Sequence, residues 1–257
     1  MNKSEIKINN LEFGYNRKSL LKKPLTISAE TGNLVVVAGK NGCGKSTLLK
    51  TLLGLHQPYS GEILLNDKDV NQYTYDEKAA YMAYADADRQ IFGSFSVKEF
   101  LFFGRYPYLS NNLKISAEDE QIITQTVEYF GITHLLDKDI QTLSSGEYRL
   151  LQIVAAFVQD TPMVILDEPT ANLDLDRAVE VFSKLNTLAL ESEKLIIVAS
   201  HQINLAFRYA TKILLFHNGE YFYETPQILS ENKVMQQFFS NRSLFWDKNT
   251  MRFELKG

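Results

Sequence analysis

The residues best suited to chemistry lie between Gly39 and Ser46, in the stretch GKNGCGKS. Their spacing satisfies the pattern G-x-x-x-x-G-K-[ST]. Glycines such as Gly42 and Gly44 accept positive φ angles and let backbone N–H groups approach an anion without a Cβ clash. Lys45 would place an ammonium on the terminal phosphates, and Ser46 would offer a hydroxyl to Mg²⁺. An apolar run precedes the loop and a helix follows it, so the sequence predicts a triphosphate site at a helix N-terminus.

A second chemical stretch is PMVILDEPTANLD, residues 162–174, in which an apolar strand ends in two carboxylates. Asp167 is expected to reach Mg²⁺ directly or through water, and Glu168 to polarise an attacking water. Adjacent carboxylates repel each other, which raises at least one pKa and suits a base. A strand followed by a polar turn at Pro169 would look the same in isolation. The phosphate loop earlier in the chain favours the catalytic interpretation.

The third stretch is LSSGEYRLLQ, in which Ser144, Ser145 and Gly146 begin a helix. Hydroxyl and N–H groups at a helix start form another anion site. Taken alone, the stretch is more often a plain N-cap that Glu147 supports. Its position shortly before the acidic strand favours the anion site.

Two further side chains complete the candidate site. The strand LIIVASHQ delivers His201, and ligands of open parallel sheets bind beyond the carboxyl ends of the strands. Gly39, Asp167 and His201 should therefore converge, and a neutral imidazole there could hold the terminal phosphate or the attacking water. Tyr15 could stack on an adenine face, although its signal is weak among 13 Tyr and 16 Phe.

The elements that must position these residues alternate between strands and helices. The first forty residues predict short strands, with 33–38 the most buried, and an Asn218-Gly219 turn predicts a late hairpin. Residues 96–159 predict a helical insertion that includes a helix N-capped by Ser116. Other expected elements are a helix from Lys45 to before Gly54, strands at 62–65 and 81–85, and helices near 176–192 and 202–209. Apolar strands alternating with helices indicate a parallel sheet covered on both faces.

Composition narrows the classes of partner. The 257 residues carry 27 Lys plus Arg against 31 Asp plus Glu, a formal net charge of −4, so no positive field favours nucleic acid. Apolar runs such as 195–199 and 213–216 fall far short of the roughly 20 residues of a membrane span, and residues 1–10 are too polar for a signal peptide. We expect a soluble, cytoplasmic chain. Its single cysteine, Cys43, excludes an internal disulfide.

Together, GKNGCGKST, LSSGE, VILDEPTANLD and SHQ, in that order, resemble the ATPase subunit of ATP-binding cassette (ABC) transporters over about residues 6–239. The resemblance implies a P-loop NTPase of the α/β class with a mostly parallel sheet, an N-terminal antiparallel β subdomain and an inserted helical subdomain at about 91–159. It places the ATP-binding domain at 1–240 and a C-terminal extension at 241–257. Two copies would associate head to tail, each covering ATP on the phosphate loop of the other with residues 144–147.

The resemblance also assigns roles to residues. Glu168 is the catalytic base, His201 the switch histidine and Lys45 a catalytic cation, while residues 172–174 cross the dimer. Mg²⁺ is expected on Ser46, Asp167 and Asp86. The residues expected to bind ATP are Tyr15, Gly39, Lys40, Asn41, Gly42, Cys43, Gly44, Lys45, Ser46, Thr47, Ser144, Ser145, Gly146, Glu147 and Asp174.

Within the family, SVKEFLFFGRYPYL, residues 96–109, is similar to importers of iron chelates, haem and vitamin B12. The expected partners are a second copy, transmembrane permease subunits and a substrate-binding protein, with the chain peripheral on the cytoplasmic face of the membrane. Family members carry a glutamine after the strand predicted at 81–85, where this chain has YADADRQIF. Asp86, Asp88 and Gln90 are the candidates for its role. Ser145 likewise replaces a commoner glycine.

Three points stay open in the sequence. A cassette ATPase that acts on ribosomes, DNA or cluster assembly is one alternative, although its relatives carry tandem cassettes or long coiled coils. A P-loop kinase is another, but LSSGE would then lack a purpose. At Cys43 the helix start would stabilise a thiolate, and ATP would protect it from alkylation; a small residue that simply fits the loop explains Cys43 equally well.

Overall fold

The structure, a computed structural model, describes residues 4–16, 18–86, 93–109, 115–239 and 243–255. In chain order its strands are β1 (Glu5–Glu12), β2 (Gly14–Tyr15), β3 (Lys18–Ser19), β4 (Leu25–Glu30), β5 (Leu34–Gly39), β6 (Ser60–Leu65), β7 (Lys68–Asp69), β8 (Met82–Asp86), β9 (Met163–Asp167), β10 (Leu195–Ser200), β11 (Lys212–His217), β12 (Glu220–Glu224), β13 (Leu244–Asp247) and β14 (Arg252–Leu255). The α-helices are α1 (Lys45–Leu52), α2 (Tyr75–Tyr81), α3 (Val97–Phe103), α4 (Ala117–Phe130), α5 (Ser145–Val158), α6 (Leu175–Glu191), α7 (Ile203–Tyr209), α8 (Pro226–Ser230) and α9 (Val234–Gln237). Short 3₁₀ helices lie at Val70–Gln72, Tyr106–Tyr108, Thr133–Leu135 and Ile140–Thr142.

The central sheet has the order β12-β11-β5-β10-β9-β8. Five strands run parallel, and β12 pairs antiparallel with β11 through the turn predicted at Asn218-Gly219. Every residue of β5, β9 and β10 is buried, which explains their unbroken apolar sequences. The parallel arrangement brings the carboxyl ends of five strands to one edge of the sheet.

Two apolar layers cover this sheet. Val35 and Val37 of β5 pack with α1 and the antiparallel sheet β4-β1-β6-β7. Val36 and Ala38 point to the opposite face and pack with α5, α6 and α7. The alternation along one strand therefore joins the N-terminal antiparallel sheet to the helices across the central sheet, as the predicted fold class requires.

The inserted helices α3, α4 and α5 begin with the same device. Ser96, Ser116 and Ser144 each accept a hydrogen bond from the third residue of the helix, whose carboxylate accepts one in return. Behind these capping boxes, buried Arg105 donates from Nε to Asp119 at 2.8 Å and thereby connects the end of α3 to the start of α4. The helical insertion predicted at 96–159 is confirmed for these elements.

Two local expectations differ from the structure. Tyr81, expected to open a strand, is the last residue of α2, and the strand runs from Met82 to Asp86. A capping box between Thr74 and Glu77 starts this unexpected helix. At the C-terminus, β13 and β14 form an antiparallel hairpin that no sequence pattern had indicated.

Candidate functional site

The phosphate loop joins β5 to α1 at the carboxyl edge of the central sheet. Gly42 and Gly44 adopt the predicted positive φ angles, 78° and 107°. At Gly44 a Cβ would lie 2.6 Å from Leu20 Cδ1, the end of a flexible side chain that can shift, so the positive φ is what favours glycine there. Gly44 is the N-cap residue of α1, and no side chain caps the helix. The first N–H groups of α1 are therefore left for a ligand.

Lys45 projects from the first turn of α1 and is almost fully buried. Its Nζ donates to the carbonyl oxygen of Gly39 at 3.0 Å and lies 3.1 Å from Oε1 of Glu168. The ammonium is thus fixed inside the loop by the end of β5 on one side and the acidic strand on the other. An anion entering the loop meets a cation that is already in place.

Glu168 links two of the predicted catalytic residues. The backbone of Glu168 adopts a positive φ angle of 47°. Its side chain contacts both residues: Oε2 lies 2.9 Å from Nδ1 of His201, and Oε1 contacts Lys45. The backbone N–H of Glu168 donates to Ala199 O at 3.0 Å, which ties the turn to the neighbouring strand β10. The predicted convergence at the sheet edge is confirmed as geometry; the catalytic roles remain predictions.

Asp167 ends β9 and is only 5% exposed. Burial raises the pKa of its carboxyl, the nearby Ser46 hydroxyl acts in the opposite direction, and the charges of Asp86 and Glu168 add to the increase. The sequence had predicted a raised pKa from carboxylate repulsion, but burial is the larger cause. Within the described part of the chain, Oδ1 of Asp167 has no hydrogen-bond partner.

This oxygen is a test of whether the site suits Mg²⁺. Asp86 ends β8 directly beside Asp167 in register, and its Oδ2 lies 3.7 Å from Nζ of Lys50. Among the residues described, no three His, Cys, Asp or Glu side chains group as a metal site. Mg²⁺ in nucleotide sites needs only one or two carboxylates besides phosphates, so Ser46, Asp167 and Asp86 fit it. Asp88 and Gln90, the other candidates, lie outside the described residues.

The stretch at Ser144 has the structure of an N-cap. Ser144 Oγ accepts from the N–H of Glu147 at 3.3 Å, and Glu147 Oε2 accepts from the N–H of Ser144 at 2.8 Å. With Lys138 Nζ 3.0 Å from Oε1, these bonds lower the pKa of Glu147 to about 2. Ser145 and Gly146 lie in the first turn of the 14-residue helix α5. The plain cap and the predicted anion site are therefore compatible.

Two other predicted ATP-binding residues are Tyr15, which lies beside the phosphate loop, and Asp174, which lies on another element. Tyr15 is 55% exposed, accepts a hydrogen bond from Oγ1 of Thr47 at 2.8 Å and lines one cleft with Asn41 and Ser46. Asp174 lies at the start of α6, where its Oδ1 accepts from the N–H of Arg177 at 2.8 Å.

Cys43 departs from what its position in the loop suggested, whereas the predicted role of Lys40 in binding ATP remains a prediction. Burial raises the pKa of the Cys43 thiol, so the expected stabilised thiolate is wrong. Desolvation outweighs the charge of Lys45, which acts in the opposite direction. Lys40 is exposed, and its ammonium lies near the rings of Phe238 and Phe239.

Sequence reasoning also missed two contacts. The first is the ion pair between Lys50 and Asp86. Lys50 follows Ser46 by four residues on α1, a spacing that could have placed it on the same helix face. Thr170 Oγ1 donates to Oε1 of Gln202 at 3.1 Å and so joins the turn after Glu168 to the turn after His201. No helix of the described ranges has the length and apolar character needed to cross a membrane.

Comparison with known proteins agrees with this geometry. Residues 22–171 match the family model described as ABC transporter. The chain is 34% identical to the achromobactin transport ATP-binding protein CbrD of Dickeya dadantii, covering 89% of this chain and 85% of that protein. It is 29% identical to the ferric enterobactin transport ATP-binding protein FepC of Escherichia coli, with coverage of 92% and 88%.

A solved structure described as an inward-facing, metal-chelate type ABC transporter superposes with a TM-score of 0.77 at 29% identity, covering 90% of this chain and 88% of that one. ATP-binding cassettes of this kind form dimers and work with transmembrane permease components. The family-model match over residues 22–171 includes the phosphate loop, the LSSGE stretch and the acidic strand. The chain therefore belongs to the ABC transporter family, as an ATP-binding subunit of the kind that hydrolyses ATP.

Proposed function

We propose that two copies of this chain bind and hydrolyse MgATP and drive a membrane permease that imports an iron chelate. The observation that carries the proposal is the position of Glu168, whose carboxylate contacts Lys45 and His201 at the mouth of the phosphate loop. A base, a cation and a histidine meet where the last phosphate of ATP would lie.

Hydrolysis follows from these contacts. The terminal phosphate takes the place of Glu168 beside Lys45, and the released carboxylate then orients a water and accepts its proton. A bond forms between the water oxygen and the terminal phosphorus as the bond to the bridging oxygen of ADP breaks. His201 holds Glu168 in position through Nδ1. Ser46, Asp167 and Asp86 would hold Mg²⁺, which supplies positive charge to the phosphate oxygens.

The LSSGE stretch supports the dimer. In a single chain Ser144 caps α5 and accepts from Glu147, which leaves the N–H groups of Ser145 and Gly146 at the helix start. A second copy would present this positive helix end to ATP bound on the phosphate loop of the first. In a head-to-tail dimer the start of α1 from one copy and the start of α5 from the other would face the same ATP.

The permease is proposed to dock in a groove between the edge strand β8 and helices α3 and α5. Its lining includes Phe100, Phe103, Ala155 and Gln159, and one end reaches Asp86. Phe103 is 54% exposed, although it is a large apolar residue on a short helix. A groove that combines exposed aromatic rings with polar side chains suits a helix from a membrane subunit. A docked helix would lie beside the proposed Mg²⁺ ligands.

The cargo is proposed from the relatives. Two proteins that resemble the chain over most of its length are named for achromobactin and ferric enterobactin, which indicates an iron chelate. Import implies a substrate-binding protein outside the membrane. The chain itself would act on the cytoplasmic face, attached through the permease.

Calorimetry with the purified chain, MgATP and MgADP tests the nucleotide site. We expect heat of binding for the wild-type chain and its loss in Lys45→Ala, because the buried ammonium supplies the charge for the phosphates. Absence of heat in the wild type would overturn the proposal.

Transport is tested by co-purification: Phe103→Asp should lose the permease while its thermal unfolding stays close to wild type. Pelleting with ribosomes instead of membranes would favour a non-transport cassette.

A further inference from the structure

Four aromatic side chains from the end of the chain pack into one cluster, here called the aromatic clamp: Phe238, Phe239, Trp246 and Phe253. Ring centroids of Phe239 and Phe253 are 4.6 Å apart, and those of Trp246 and Phe253 are 4.8 Å apart. Phe238 is 1% exposed and touches Phe239 at 5.0 Å. The clamp joins the segment after α9 to the hairpin of β13 and β14.

The clamp contacts the phosphate loop. Nζ of Lys40, the residue after the end of β5, lies 5.8 Å from the ring centroid of Phe238 and 5.9 Å from that of Phe239. Phe238 also packs at 5.5 Å against His217, which follows the register partner of Gly39 on β11. One ring thus supports both a loop cation and the neighbouring strand end.

The clamp also contacts the helix that follows His201. Phe253 donates its backbone N–H to Oδ1 of Asn204 at 2.9 Å, and Nδ2 of Asn204 donates back to Phe253 O at 3.4 Å. Trp246 packs at 4.6 Å against Phe207 of the same helix. Because α7 begins at Ile203, the hairpin is attached, through Asn204, three residues beyond the predicted switch histidine.

We propose that the aromatic clamp positions both halves of the nucleotide site, ordering the phosphate loop through Lys40 and holding His201 through Asn204. Its residues touch no nucleotide and act through these two positions. The inference rests on the proposed function, since it requires that Gly39 to Thr47 bind ATP. It adds that the C-terminal hairpin takes part in that reaction.

The two attachments predict different kinetic changes. Phe238→Leu keeps an apolar side chain but removes a ring from Lys40, so the Kd for MgADP should rise about threefold, the value of one cation–π contact. Asn204→Ala removes the hydrogen bonds to the hairpin. Its kcat should fall about tenfold with KM for ATP unchanged, less than the hundredfold cost of a displacement of about 1 Å.

A double-mutant cycle separates positioning from plain destabilisation. Lys40→Met and Phe238→Leu should each raise the Kd for MgADP. The Kd of the double variant should not exceed the larger of the two single-variant values. Phe130→Leu is the matched control, a buried phenylalanine of the helical insertion, 3% exposed, whose ring centroid lies 5.8 Å from Nζ of Lys184 instead of Lys40. It should lower the unfolding temperature and leave the Kd for MgADP unchanged.

Each outcome decides the inference. Coupling in the cycle, together with a kcat loss in Asn204→Ala, supports it. Additive effects, tighter binding by Phe238→Leu or equal changes in Phe130→Leu would overturn it. If the wild-type chain binds no nucleotide, the proposed function fails first, and calorimetry on that chain alone distinguishes the two failures.

Discussion

Replacing Glu168 by Gln should tighten the binding of ATP while stopping its hydrolysis. In the structure Oε1 of Glu168 lies 3.1 Å from Nζ of Lys45, with side chains 19% and 6% exposed. At that separation and an effective dielectric of about 20, the attraction between the charges is about 5 kcal/mol before desolvation is subtracted. ATP must displace this carboxylate and bring its own negative charge beside it. Glutamine keeps the shape and removes the competing charge.

The expected size of the effect follows from the contact that is lost. A hydrogen bond between charged groups contributes about 1.5 to 3 kcal/mol net, and the phosphate restores part of it when it binds Lys45. We therefore expect a gain near 1.4 kcal/mol, or about tenfold tighter binding of an ATP analogue. ADP, which lacks the terminal phosphate, should gain less. Without the base, turnover should fall by about a hundredfold or more.

Calorimetry with a non-hydrolysable ATP analogue and with ADP measures the two affinities. Light scattering in saturating ATP measures the dimer, which the variant should retain because its binding groups survive. Glu180→Gln is the control, since this exposed carboxylate on α6 pairs with Lys184 at 2.6 Å. Equal affinities for the analogue in wild type and Glu168→Gln, or a monomeric variant in saturating ATP, would refute the reasoning.

Three further changes probe the rest of the molecule. Arg105→Met leaves the carboxylate of Asp119 buried without its cation, which should cost about 3 to 5 kcal/mol of unfolding free energy in denaturant titration; an unchanged midpoint would contradict this. Alkylation of Cys43 should be slow at neutral pH and accelerate above the ordinary thiol range, because burial raises its pKa, and MgATP should slow it further; equal rates with and without MgATP would show the loop is not covered. Glu147 has a pKa lowered to about 2 from 4.5, so its stabilising contribution is complete above pH 4.5 and disappears as the pH falls toward 2. Glu147→Gln should flatten that part of a plot of unfolding temperature against pH.

Local signals explain why much of the fold could be predicted. Strand β5 is apolar throughout because it is buried on both faces, and Ser116 precedes its helix with an acidic residue three positions into it. The same capping pattern at Thr74 and Glu77 was present in the sequence, yet the helix it starts was not expected. Such signals lie within a few residues of the element they determine. The division into residues 1–240 and 241–257 remains a prediction.

Contacts between distant segments could not be predicted in the same way. The contact of Lys40 with Phe238 and Phe239 joins positions almost two hundred residues apart, and no pattern in either segment predicts that the two will meet. The raised pKa of Cys43 likewise depends on burial by residues outside the loop, whereas its position at a helix start suggested the opposite shift. Desolvation can be read only from the packed chain.

Asp86 shows where local and distant information must be combined. Its carboxylate stands beside Asp167 at the ends of neighbouring strands, so the sequence posed a problem of excess negative charge beside a triphosphate. The structure supplies the compensating group in Lys50, whose Nζ lies 3.7 Å from Oδ2 of Asp86. Lys50 lies one helical turn beyond Ser46, so the helix that carries the proposed Mg²⁺ hydroxyl also offers a cation to the extra carboxylate. The extra carboxylate of Asp86 is therefore balanced by a charge on α1, a helix already fixed by the phosphate loop, and its role in place of the glutamine remains a prediction.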